Sequence, residues 1–126
     1  REQPLLHDES ALRRPAVPQW ADWLDAAAVE GVDAGRGPVF ASIYLAQEAA
    51  IAGHGIALGT APLVKEDVLP GRLLLPFERS LPNAYAFWLL RRDDARPRAA
   101  VNAFCGWLQQ EAGDDAAFWE ARRTGR

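Results

Sequence analysis

Ser42 is the residue whose type and position best suit binding chemistry. It follows the apolar run Val39-Phe40-Ala41 and directly precedes a predicted helix that runs to Ala52. The backbone N–H groups in the first turn of a helix carry positive partial charge, which favours a carboxylate or another anion. The Ser42 hydroxyl can also cap the helix by accepting one of these N–H groups. Two interpretations therefore stay open, a cap alone or a cap combined with contact to a ligand.

The other reactive side chains form no catalytic or metal-binding pattern. Cys105 lies inside a predicted helix between Phe104 and Trp107, where a small buried or half-buried thiol is the common outcome. His7 ends a strand and His54 lies between two glycines, so we expect surface or capping roles for both. Solvated loop charge explains the adjacent acidic pairs, Glu66-Asp67 and Asp93-Asp94. We therefore predict no enzyme activity, no metal site and no cofactor.

The hydrophobic pattern of the first half predicts strands that alternate with helices. Trp20, Trp23, Leu24 and Ala27 recur at helical spacing after Pro18 and predict a helix with one apolar face. Short apolar runs predict the first three strands, at residues 4–7, 39–41 and 56–58, whereas residues 8–17 are predicted as a loop. Because strands and helices alternate, the strands should be parallel and joined by crossover helices.

The second half of the chain predicts further elements of the same kind. A short helix at residues 62–69 ends at Pro70-Gly71. Two more strands are predicted at residues 73–75 and 84–90, followed by a charged connector at 91–96, a last helix at 97–112 and a frayed tail at 113–126. The predicted fold class is therefore α/β, with a mostly parallel sheet of about five strands flanked by helices.

Composition limits the class of protein. A chain of 126 residues, 49% of them apolar, has room for one core. The net charge is -3, and no basic stripe marks a nucleic-acid surface, so the chain alone should not bind duplex DNA. The single cysteine excludes an internal disulfide, and no apolar run approaches the roughly 20 residues of a membrane span. We expect a cytoplasmic origin and, because the chain contains no methionine, a longer parent protein.

Six motifs follow one another along the chain: Pro4-Leu-Leu-His-Asp8, Trp20-x-x-Trp23-Leu24, Gly37-Pro-Val-Phe-Ala-Ser42, Ala50-Ile-Ala-Gly-His-Gly-Ile-Ala-Leu-Gly59, Asp67-Val-Leu-Pro-Gly-Arg-Leu-Leu-Leu-Pro-Phe77 and Val101-x-x-Phe104-x-x-Trp107-Leu108. In this order they resemble the effector-binding domain of LysR-type transcriptional regulators, in its second lobe and return helix. Within that family the chain is most similar to the subgroup of the glycine-cleavage activator and the β-lactamase-gene regulators. Single matches would be weak, but their common order is specific. The resemblance spans about residues 4–112.

The resemblance implies a single lobe of a type II periplasmic-binding-protein-like domain at residues 1–96. It implies a return helix at 97–112 that packs on a first lobe outside this sequence, and DNA contact through an N-terminal domain that is also outside it. A small molecule would bind between the lobes and change the affinity of the intact regulator for DNA. By the same comparison, the cleft would be lined by Phe40, Ala41, Ser42, Ile43, Thr60 and Tyr85. Many relatives carry proline after the third strand, whereas this chain has Gly59-Thr60-Ala61 before Pro62.

Three hypotheses follow for the function. The leading one is a ligand-sensing fragment of a LysR-type regulator that takes an anionic effector. The alternative is a lobe of a solute-binding protein of the same architecture. An α/β enzyme is the third, and it would need a convergent nucleophile and base that the sequence does not offer. Without its first lobe, the apolar stripe of the return helix would lack cover, so we also expect a homodimer.

Overall fold

The computed structural model describes residues 3–92 and 98–123. In chain order the elements are β1 (Leu5–Asp8), α1 (Glu9–Leu12), α2 (Trp20–Ala26), β2 (Val39–Phe40), α3 (Ile43–Ile51), β3 (Ile56–Ala57), α4 (Ala61–Val68) and α5 (Ala99–Arg123). The chain divides into two compact units, of which the first ends at Tyr85 and the second begins at Ala86. The first unit holds the sheet and four helices, and the second holds α5. The predicted α/β class is confirmed.

The sheet has its first strand in the centre. Its order is β2-β1-β3, and β1 runs parallel to both neighbours. Asp8 is level with Phe40 on one side, and Leu6 is level with Ala57 on the other. The chain moves from β1 to β2 through α2, and then crosses back over β1 to β3 through α3. Because such crossovers are right-handed, these opposite directions place α2 and α3 on opposite faces of the sheet.

Small side chains let α3 pack closely on the sheet. Leu6 is 2% exposed and forms a core cluster with Ala46 and Ala49 of α3. Phe40, Ala50 and Ala57 pack around this cluster. Trp20 anchors α2 to the central strand, because its buried indole Nε1–H donates to the carbonyl oxygen of Leu6 at 3.0 Å. The apolar helical spacing predicted at residues 20–27 therefore does face the sheet, through Trp20 and the equally buried Leu24.

Two glycines bring the outer strands close to β1. Gly37 precedes β2 with φ 148°, and a Cβ there would clash with the carbonyl oxygen of Leu5. Gly55 precedes β3 with φ 156°, and a Cβ there would clash with the carbonyl oxygen of Pro4. Only glycine tolerates both the backbone conformation and the contact. The two residues thus set the parallel pairing on either side of the central strand.

The sheet is smaller than the sequence predicted. The described residues contain three strands rather than about five, because residues 73–75 and 84–90 form no ladder. The Leu73 N–H donates instead to the Asp67 carbonyl oxygen at 2.9 Å, which closes the turn after α4. Pro76 and Pro82 have no N–H to offer a neighbouring strand. β-propensity alone does not form a strand when the backbone lacks a pairing partner.

Two other segments differ from expectation. Residues 8–17 are not all loop, because Asp8 accepts the Ser10 N–H and starts the short helix α1. The expected tail is helical, since α5 continues without a break to Arg123. Most of the expected connector at 91–96, together with Asp93, Asp94 and Pro97, lies outside the described residues. The assignment of residues 97–112 to a return helix remains a prediction.

Candidate functional site

The carboxyl ends of the three parallel strands form one edge of the sheet. α1 begins directly after β1, Ala41 and Ser42 separate β2 from α3, and Thr60 precedes α4 shortly after β3. Three helices therefore begin near the same edge. In open α/β sheets this edge is where ligands bind, because helix N-termini and loop side chains converge there.

Ser42 is the N-cap residue of α3, but its hydroxyl does not cap the helix. Its backbone is extended, with φ −153° and ψ 159°, and its carbonyl oxygen accepts the Ala46 N–H at 3.2 Å. The side chain makes no capping hydrogen bond, so the predicted Ser42 side-chain cap is wrong. The hydroxyl of this half-buried residue is consequently available to a ligand, together with the N–H groups of the first helical turn.

Thr60 has the same uncapped side chain at the start of the next helix. It is the N-cap residue of α4, its side chain makes no capping bond, and its carbonyl oxygen accepts the Leu63 N–H at 2.8 Å. Gly59 explains why proline does not follow the strand directly, since a Cβ at residue 59 would lie 2.7 Å from Cγ1 of Val64. Pro62 falls instead in the first turn of α4, where its missing N–H costs no helical bond.

The neighbours of Ser42 differ in exposure. Phe40 is half-buried and packs against the core cluster at the end of β2. Ala41 is exposed, and Ile43, the first residue of α3, is half-buried. Chain adjacency holds these residues beside Ser42, and the strand order brings Thr60 to the same edge on the far side of β1.

Tyr85 lies in the irregular segment that ends the first unit. It is 51% exposed, and its backbone N–H donates to the Asn83 side chain at 3.0 Å. The guanidinium carbon of Arg14 lies 5.9 Å from the centroid of its ring. Tyr85 is thereby tied to the loop that follows α1, at the carboxyl end of the central strand.

Two buried polar residues were missed by the sequence analysis. Asp67 is 9% exposed rather than solvated, and it accepts the Gln47 side-chain N–H at 2.5 Å and pairs with Arg72 at 2.8 Å. His7 is buried in β1 instead of lying at the surface, and its Nε2 has no hydrogen-bond partner among the described residues. The Gln47–Asp67 hydrogen bond joins α3 to α4, the two helices that begin after Ser42 and Thr60.

An open groove of about 390 Å³ in the first unit is lined by residues 15–18, by Asp22 and Asp25 of α2, and by Leu81 and Pro82. Its lining combines apolar side chains with the carboxylates of Asp22 and Asp25. The Asp22 carboxylate also accepts the Gln19 N–H at 2.6 Å as part of the cap of α2. Two carboxylates repel an anion, so this groove does not suit an anionic ligand.

Neither a cluster of metal ligands nor a membrane-spanning helix is found among the described residues. Nowhere in this part of the chain do three or more His, Cys, Asp or Glu side chains come together as a metal site would require. Cys105 is half-buried on α5. Among residues 3–92 and 98–123, no helix combines the length and apolar character needed to cross a bilayer.

Comparison with known proteins supplies the family. The model of the LysR substrate binding domain matches residues 1–113. The glycine cleavage system transcriptional activator of Escherichia coli K12 is 30% identical over 108 residues, covering 86% of this chain and 33% of its own. The HTH-type transcriptional activator AmpR of Providencia stuartii is 31% identical over 106 residues, covering 84% of this chain and 36% of its own.

A third relative matches a shorter stretch at higher identity. The HTH-type transcriptional regulator TrpI of Pseudomonas aeruginosa is 42% identical over 76 residues, which are 60% of this chain and 24% of its own. No solved structure matches the chain significantly. The chain spans about a third of the length of the first relatives. These matches confirm the family and subgroup predicted from the sequence, and the chain belongs to the LysR substrate-binding domain family.

Proposed function

We propose that this chain is the ligand-sensing part of a LysR-type transcriptional regulator and binds a small anionic effector at the carboxyl edge of its sheet. The observation that carries the proposal is the pair of N-cap residues, Ser42 and Thr60, whose hydroxyls make no capping bond. Ser42 adds a hydroxyl to the start of α3, which favours negative charge. At the start of α4, Pro62 has no N–H and the Leu63 N–H is bonded to Thr60, so Thr60 offers its hydroxyl beside the Ala61 N–H alone. Phe40, Ala41, Ile43 and Tyr85 complete the proposed lining.

The proposed role is sensory and cytoplasmic rather than catalytic. Its support is the family match and the relatives, which are described as transcriptional activators and regulators. The same relatives favour the regulator over the alternative of a solute-binding protein. In a protein of the relatives' length, DNA would be contacted outside these residues, and the effector would act by favouring one arrangement of that protein over another.

Binding of simple carboxylates tests the proposed site. Acetate, succinate and benzoate would be titrated into the chain by isothermal calorimetry, together with Ser42→Ala, Thr60→Ala and the exposed control Ser80→Ala. A hydroxyl bonded to a charged group contributes about 1.5–3 kcal/mol, so either site variant should weaken binding about tenfold or more. Equal affinity of all four proteins, or no binding of any carboxylate at about 10 mM, would refute the proposal.

We further propose that the chain associates with a second copy through α5. Val101, Phe104 and Trp107 lie on one side of this helix and are between 38% and 55% exposed. Apolar patches on monomeric proteins are small, and burying one contributes roughly 25 cal/mol per Å² before association costs. Light scattering should show a dimer that Trp107→Glu dissociates and Gln109→Glu does not. A monomeric wild-type chain would contradict this proposal.

A further inference from the structure

Arg14 carries its charge back to the edge of the sheet where the effector site is proposed. It follows the C-cap residue of α1, yet its Nη2 lies 3.5 Å from the hydroxyl oxygen of Ser10, in the first turn of that helix. Ser10 lies two residues after Asp8, the last residue of the central strand. The guanidinium is therefore folded along α1 toward the carboxyl end of β1.

No carboxylate within the described residues pairs with this guanidinium. Its neighbour Arg13 pairs with Glu9 at 2.5 Å, and Arg72 pairs with Asp67. Asp8, which lies beside Ser10, accepts both the N–H and the hydroxyl of Ser10, at 2.8 and 2.9 Å. Because the Ser10 hydroxyl donates its one hydrogen bond to the Asp8 carboxylate, it can only accept a hydrogen bond from Arg14. Arg14 thus keeps most of its five donors for another acceptor.

The ring of Tyr85 contacts the same guanidinium. The 5.9 Å separation from the ring centroid is within the range of a cation–π contact. Apart from the N–H directed at Ser10, the N–H groups of the guanidinium have no acceptor among the described residues. This geometry suits a carboxylate that binds through two parallel hydrogen bonds.

We propose that Arg14, held between Ser10 and Tyr85, binds the carboxylate of the effector. The inference rests on the proposed function and adds to it the chemical class of the ligand. That ligand is a carboxylate, recognised by its charge and by two parallel N–H groups of the guanidinium. α1 packs against α3, the helix that begins after Ser42. One carboxylate at the start of α3 can therefore be shared between Arg14 and the Ser42 hydroxyl.

A matched pair of probes and a matched pair of variants test this inference. Benzoate and benzamide have the same shape, but only benzoate is charged. Arg13→Gln is the control for Arg14→Gln, since it removes the same charge from the adjacent residue, which already has a partner in Glu9. Affinities would be measured by calorimetry on the full 126-residue chain, with circular dichroism to verify that each variant is folded.

Arg14→Gln should weaken benzoate binding about tenfold without changing benzamide binding, because a hydrogen bond to a charged group is lost. Arg14→Lys keeps the positive charge but not the two parallel N–H groups, so it should bind benzoate more tightly than Arg14→Gln and more weakly than the wild type. Equal weakening by Arg13→Gln and Arg14→Gln would overturn the inference. Loss of benzoate affinity in Ser42→Ala but not in Arg14→Gln would overturn it while leaving the proposed function intact. If benzoate does not bind, or Ser42→Ala also has no effect, the proposed function fails as well.

Discussion

Asp67→Ala should destabilise the first unit far more than the equivalent change at its neighbour. The Asp67 carboxylate accepts the Gln47 amide N–H at 2.5 Å in a buried position that links α3 to α4. After the substitution, this amide keeps only the longer bond to the Leu63 carbonyl oxygen, at 3.3 Å. Oε1 of Gln47 already lacks a partner among the described residues, so it cannot compensate.

The magnitude follows from the two contacts that Asp67 makes. A buried hydrogen bond to a charged group contributes about 1.5–3 kcal/mol. The ion pair with Arg72 adds about 0.5 kcal/mol at most, because the Arg72 side chain is 54% exposed and solvent screens it. We therefore expect a loss of roughly 2–3 kcal/mol in the free energy of unfolding.

Urea denaturation followed by circular dichroism would measure this loss. Glu66→Ala is the matched control, since it removes the same charge from the adjacent, exposed position of α4. It should change the free energy of unfolding by less than about 0.5 kcal/mol. Equal effects of the two variants would show that Asp67 acts only through net charge, and the link between α3 and α4 would have to be abandoned.

Three other outcomes are expected. Ala28, with φ 53°, takes the left-handed position after α2 that Gly53 takes after α3. Ala28→Gly should therefore raise the free energy of unfolding by about 1 kcal/mol and Gly53→Ala should lower it by about as much, which thermal denaturation would measure. Ser42→Ala should change the free energy of unfolding by less than about 0.5 kcal/mol, whereas Asp8→Ala should cost about 1 kcal/mol, because only Asp8 caps its helix. Urea titration would separate these two. Gel shift at low salt should show no specific retention of duplex DNA by this chain, and clear retention would contradict the argument from its net charge of -3.

The sequence predicted the elements that local patterns determine. The run from Ser42 to β3 is correct because helical spacing, the left-handed Gly53 and the short apolar strand all agree. The prediction of a strand at residues 84–90 was wrong because an apolar, β-prone composition does not reveal whether a pairing partner exists. The site residues were placed by resemblance, since no local pattern shows which strand ends share an edge.

The buried polar residues were beyond local reasoning for a related reason. Asp67 sits next to Glu66, and two adjacent acidic residues resemble solvated charge unless the partner on another helix is known. Gln47 supplies that partner from 20 residues away. His7 is buried because β1 is the central strand, and the order of strands cannot be derived from one strand's composition.

NMR can map whether an anion binds at the carboxyl edge of the sheet. Benzoate would be titrated into the ¹⁵N-labelled chain while the backbone amide shifts are followed. The largest shift changes should cluster at residues 42–44, 60 and 61, with the side-chain resonance of Arg14 moving in parallel. Changes centred on the groove beside Asp22 and Asp25, or on α5, would refute binding at this edge.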